Sequence, residues 1–111
     1  MNAIVSGGTK GIGRAAVMHL AAIGYNVSFC SRKEGEIQEL LLELEEKYPH
    51  LRFHGMKADM ENMAEVRDFA EFAFKSQGTI DVLVNNAGLY LPSELLNEGD
   101  DSLERQMQVN V

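Results

Sequence analysis

The chain has 111 residues, 45% hydrophobic and 24% charged with two prolines, which suits one small globular core, is too short for two, and gives no reason to expect disorder. Ten Lys and Arg against seventeen Asp and Glu give a formal net charge of -7, which argues against general binding to nucleic acid or an anionic membrane but leaves room for a local anion site. Cys30 is the single cysteine, so an internal disulfide is ruled out and a reducing, cytoplasmic setting is expected; no run is long enough to span a bilayer, and the opening residues lack the pattern expected of a signal peptide.

Ala3-Ile4-Val5, ended by glycines, is the apolar run expected of a strand buried on both faces. From Arg14 onward, Ala16, Val17, Leu20 and Ile23 recur at helical spacing, and Gly24 is placed as a stop. Tyr25 to Cys30 reads as a second strand. Lys33 to Tyr48 is an amphipathic helix with Ile37, Leu40, Leu41 and Leu44 on one face. Its other face carries Glu36, Glu39, Glu43 and Glu46 and is expected to meet solvent.

Arg52 to Ala58 is a weaker third strand, and Val66, Phe69, Ala70 and Ala73 mark a third helix ending near Gly78. Ile80 to Asn85 is a fourth strand around Val82-Leu83-Val84. A loop with Gly88 and Pro92 leads to a fourth helix, expected from Asp101 or Ser102 and still running at Val111. Strands and helices in strict alternation predict parallel strands with right-handed crossovers, in one domain spanning residues 1-111. Four strands in the order 3-2-1-4 would leave the fourth as a bare apolar edge.

The segment Ser6-Gly7-Gly8-Thr9-Lys10-Gly11-Ile12-Gly13 joins the first strand to the first helix. A strand, glycine turn and helix in immediate succession aim backbone N-H groups and a positive dipole end at one point, which suits a pyrophosphate. Gly11-x-Gly13-x-x-Ala16 satisfies the dinucleotide form G-x-G-x-x-G/A, and no Gly-Lys-Ser/Thr follows, which disfavours a mononucleotide P-loop. The fold class is therefore α/β, a Rossmann-like doubly wound parallel sheet in three layers, α/β/α. At the end of the second strand an Asp or Glu would bind the ribose hydroxyls of NAD; here Cys30-Ser31-Arg32-Lys33 stands instead. Arg32 offers a phosphate-matching fork, Ser31 a hydroxyl, and Lys10 a second cation able to reach the same place, so NADP(H) is preferred over NAD(H). The alternative is that Arg32 and Lys33 are ordinary surface charges opening the second helix.

Asn85-Asn86-Ala87-Gly88, directly after the fourth strand, resembles the short-chain dehydrogenase/reductase family when taken with the glycine turn. Asp59-Met60 stands where that family has its adenine-contacting pair, and Asn110-Val111 where it has an Asn of its fourth helix, so the resemblance runs from Ser6 to the last residue. It implies that Gly7, Thr9, Lys10, Gly11, Ile12 and Gly13 surround the phosphates and ribose, and that Ser31 and Arg32 take the 2′-phosphate. Asp59 would accept from the adenine amino group with Met60 alongside. Asn86, Ala87 and Gly88 would line the ribose and nicotinamide side, with Asn86 also stabilising the central strand. Asn110 would hold a water of the proton relay, the one catalytic candidate in this chain. Ser6 replaces the family's usual Thr and keeps the hydroxyl. The plainer alternatives are Asp59 as a helix N-cap, Asn85-Asn86 as a turn and Asn110 as an exposed helix residue.

The resemblance further implies hydride transfer between a nicotinamide and a small carbonyl or alcohol substrate, assisted by a Ser and a Tyr-x-x-x-Lys motif. Tyr25, Tyr48 and Tyr90 are followed four positions on by Phe29, Arg52 and Glu94, so that machinery is not assigned here. The chain alone is expected to be inactive and to be the first half of a longer reductase that forms a homo-oligomer, with no metal. A second class of function is a non-catalytic NADP(H)-binding sensor or interaction module, for which 111 residues would be complete. Cys30 is expected to be a buried thiol at a strand end.

Overall fold

The computed structural model describes residues 1–85 and the backbone of residues 107–110. In chain order the elements are β1 (Asn2–Ser6), α1 (Gly11–Ala22), β2 (Asn26–Ser31), α2 (Glu34–Lys47), β3 (Phe53–Lys57), α3 (Met63–Gln77), β4 (Val82–Asn85) and β5 (Met107–Asn110). The strands form one sheet in the order β3-β2-β1-β4-β5, and every neighbouring pair is parallel. The doubly wound α/β arrangement and the order 3-2-1-4 are thus as the sequence predicts.

Successive residues of a strand point to opposite faces, so each apolar run feeds two cores. On one face Ala3, Val5, Val27, Phe29 and Val84 pack with Val17 and Leu20 of α1 and with Ile37, Leu40 and Leu44 of α2. On the other, Ile4, Cys30 and Leu83 pack with Val66, Phe69, Ala70 and Ala73 of α3. Packing rather than propensity holds α2. Gly35 in its first turn costs about 1 kcal/mol against Ala, whereas burying Ile37, Leu40 and Leu44 contributes about 1.5–3 kcal/mol each.

The weakness of the third strand as a pattern comes from Gly55, which faces that same core. A Cβ there would stand 2.5 Å from Ile37 Cγ2 and 3.1 Å from Phe29 Cζ. Gly8 in the turn is equally constrained, since its Cβ would lie 2.8 Å from Phe29 Cβ. The opposite end of the sheet is closed by asparagines. Asn2 donates through Nδ2 to the carbonyls of Gln77 (3.1 Å) and Thr79 (2.8 Å) and accepts from Asn26 Nδ2 (3.0 Å), while Asn26 Oδ1 accepts from the Arg52 N-H (2.8 Å).

Two expectations are corrected. Helix α1 begins at Gly11, not Arg14, so the second half of the glycine turn is already its first turn. Residues 107–110 are not helical: they form β5, with Asn110 in register with Asn85. Met107-Gln108-Val109-Asn110 alternates apolar and polar, and it covers the apolar edge that β4 would otherwise present. The expected start of the fourth helix, together with Asn86, Ala87, Gly88 and Val111, lies outside the described residues.

Candidate functional site

Gly7 and Gly11 take φ values of 72° and 56°, in the left-handed region that a side chain disfavours. They reverse the chain tightly enough for the Gly8 N-H to donate to the Cys30 carbonyl at 2.9 Å, which seats the turn on the end of β2. Helix α1 then opens with Lys10 as N-cap, no side-chain cap and no acidic residue in its first turn. Its first N-H groups and positive dipole end are left to an external anion.

A cleft of about 430 Å³ lies at the carboxyl ends of β1, β2 and β3. It brings together Gly7, Thr9, Lys10, Ser31, Arg32, Asp59 and Met60 from the sequence-predicted set, and adds Cys30, Lys33, Glu36, Ala58 and Glu61. Gly11, Ile12 and Gly13 form the adjoining start of α1, with Ile12 exposed and Gly13 buried. Asn110 stands three strands along from β2, at the carboxyl end of β5.

Glu36 is the residue that sequence reasoning misplaced. Its side chain is 24% exposed, and it faces the cleft rather than solvent. Oε2 lies 3.1 Å from Lys10 Nζ and 3.8 Å from Lys33 Nζ. Oε1 accepts from the Thr9 hydroxyl at 2.9 Å. Thr9 Oγ1 is also 2.9 Å from Ser31 Oγ; having one proton, already given to the carboxylate, it receives the Ser31 hydroxyl there. Partial desolvation pushes the Glu36 carboxyl up, but the Thr9 hydroxyl and the two lysines outweigh it and hold the group below its ordinary range. Glu43, on the same face, pairs with Arg14 of α1 and with Lys47. Only Glu39 and Glu46 of that face are exposed as expected. The available signal was spacing: Glu36 lies three residues after Lys33, in the first turn of a helix that starts at the end of β2.

Asp59 is not the cap of α3. Asn62 caps it, accepting from the N-H groups of Ala64 (3.0 Å) and Glu65 (3.3 Å). Asp59 Oδ1 instead accepts from the Glu61 N-H at 2.9 Å, in a turn that Glu65 braces by accepting from the Asp59 N-H at 3.1 Å. Met60 is buried against the α3 core and forms part of the cleft floor. Cys30 is fully buried; desolvation raises its thiol to about 11, the Gly7 backbone N-H opposing the rise. Between β1 and β4, where the strand order reverses, Ser6 Oγ donates to Asn85 Oδ1 at 3.0 Å and both residues are buried. Among the described residues no group of side chains could hold a metal ion and no helix is long and apolar enough to cross a membrane.

The family model described as short chain dehydrogenase matches residues 1–111. A 3alpha-hydroxysteroid dehydrogenase from Mediterraneibacter gnavus is 30% identical over 98% of this chain and 44% of its own length. An L-rhamnose 1-dehydrogenase (NADP(+)) from Thermoplasma acidophilum is 33% identical over 99% of this chain and 43% of its own. The chain thus spans less than half the length of these curated relatives. Among solved structures, the NADPH-bound short chain oxidoreductase from Pseudomonas aeruginosa PAO1, which contains an atypical catalytic center, superposes with a TM-score of 0.75 at 35% identity, covering 79% of this chain and 34% of that one.

Proposed function

Because the chain belongs to the short-chain dehydrogenase family over its whole length, we propose that it binds NADP(H) and supplies the cofactor-binding half of an oxidoreductase acting on a small carbonyl or alcohol. The nicotinamide, when bound, supplies or accepts the hydride. In this reading Gly7, Gly11, Ile12 and Gly13, with the uncapped start of α1, hold the pyrophosphate. Thr9, Lys10, Ser31 and Arg32 hold the 2′-phosphate, Asp59 and Met60 the adenine, and Asn86, Ala87 and Gly88 the ribose on the nicotinamide side. Asn110, at the carboxyl end of β5 rather than in a helix, is the residue this reading assigns to the reacting end. A cytoplasmic homo-oligomer is part of the same proposal.

One observation carries the cofactor reading. The glycine turn and the end of β2 converge on a single cleft, and no carboxylate occupies the end of β2, where Ser31 and Arg32 stand. Arg32 forms no ion pair with another described residue, so its guanidinium is available to a phosphate. The NADPH-bound neighbour and the NADP(+)-dependent relative support the choice. Arg32→Ala is expected to weaken NADPH roughly 10- to 100-fold, the range of a lost charge-assisted hydrogen bond, while NADH binding stays within about twofold. Fluorescence titration of both nucleotides measures this, and an unchanged NADPH to NADH ratio would show the assignment to be wrong.

A further inference from the structure

The cleft that would take the 2′-phosphate already holds an anion of its own. Lys10, Arg32 and Lys33 face Glu36, Asp59 and Glu61 around it, three cations against three carboxylates. A neutral cleft has no electrostatic reason to select a doubly charged phosphate, so the behaviour of the carboxylates decides the selectivity. Among the described residues only Glu36 of these three is ion-paired to the cations. We propose that Glu36 is an internal counter-anion of the 2′-phosphate subsite, holding Lys10, Lys33 and the Thr9–Ser31 hydroxyl pair until the phosphate displaces it. In doing so it limits the preference for NADP(H) over NAD(H). This inference rests on the NADP(H) reading above.

Geometry supports the exchange. Both Glu36 oxygens are satisfied by groups a phosphate oxygen uses, two ammonium groups and a hydroxyl, at 2.9–3.8 Å. A phosphate meeting the same donors would be a second anion in contact with the carboxylate, which is unfavourable unless the carboxylate withdraws. Withdrawal is easy for this side chain. It is partly exposed, its ion pairs are of the weak surface kind, and in the first turn of α2 it keeps a favourable interaction with the helix dipole after turning to solvent. Arg32, unpaired among the described residues, is the cation left to make first contact with the incoming phosphate.

The test compares 2′,5′-ADP with 5′-ADP in the protein that carries this chain, for the wild type, Glu36→Gln and Glu36→Ala. Both variants are expected to bind 2′,5′-ADP about fivefold more tightly at low salt, the size of one like-charge contact at water-like screening. That gain should shrink at high salt. Binding of 5′-ADP should hold within about twofold, which also reports that the cleft is intact. Unchanged or weaker 2′,5′-ADP binding in both variants would overturn the counter-anion, Glu36 then being a residue that positions Lys10. A wild type that fails to distinguish the two nucleotides, with no gain in either variant, overturns the NADP(H) reading as well.

Discussion

Cys30 shows how a reactive group is silenced by its position. It lies at the end of β2 in the wall of the cleft, yet is fully buried, and desolvation raises its thiol from 9.0 to about 11. At neutral pH the nucleophilic thiolate is therefore absent. Native protein should resist a disulfide reagent at pH 8 and react within minutes in urea; rapid native labelling would contradict the burial. The linkage has a definite sign. The unfolded thiol ionises first, so the stability tied to Cys30 is complete below pH 9 and falls as pH rises from 9 toward 11. Cys30→Ser should flatten that part of the pH profile. Gly8 and Gly55 are silent in another way: each leaves room for a neighbouring side chain, and nothing in the local pattern marks which glycines have that task.

At the scale of elements, the helix starts differ in a way that follows the cleft. Helices α1 and α2 begin beside it without side-chain caps. Helix α3 is closed by Asn62, and Glu65 reaches back to Asp59. Asn62→Ala should therefore destabilise the fold by about 1 kcal/mol, read from urea unfolding, with little change in nucleotide affinity. A loss of affinity as large as that of Arg32→Ala would mean that the cap also shapes the Asp59 turn. The helices were legible from sequence because apolar residues recur every three to four positions and Gly24, Pro49 and Gly78 follow them. The edges were less so. The apolar spacing alone started α1 at Arg14, although the turn ends inside the helix. The four residues 107–110 alternate apolar and polar over too short a run to set their form from sequence, and pairing with β4 decides it.

For the whole molecule, alternate residues of the central strands build a core on each face, so the carboxyl ends of β1, β2 and β3 are held rigidly while their loops stay open to a ligand. The sheet orders a binding surface, and none of the chain's three tyrosines is followed four positions on by lysine. The 111-residue polypeptide should bind NADPH without oxidising it. Steady loss of NADPH absorbance with a carbonyl substrate would disprove that.

The sequence by itself determined the alternation of elements, the glycine turn and the basic residues after β2, because each depends on neighbours in the chain: period, dihedral freedom and residue type. The cleft's charge balance was decided only by the tertiary structure. Glu36 meets Thr9 across 27 positions and Lys10 across nearly as many, and a residue read as one of a solvent-facing row becomes the counter-ion of a cation cluster. Electrostatic interaction depends on distance in space, and only the packing of α2 on β2 and β3 sets that distance.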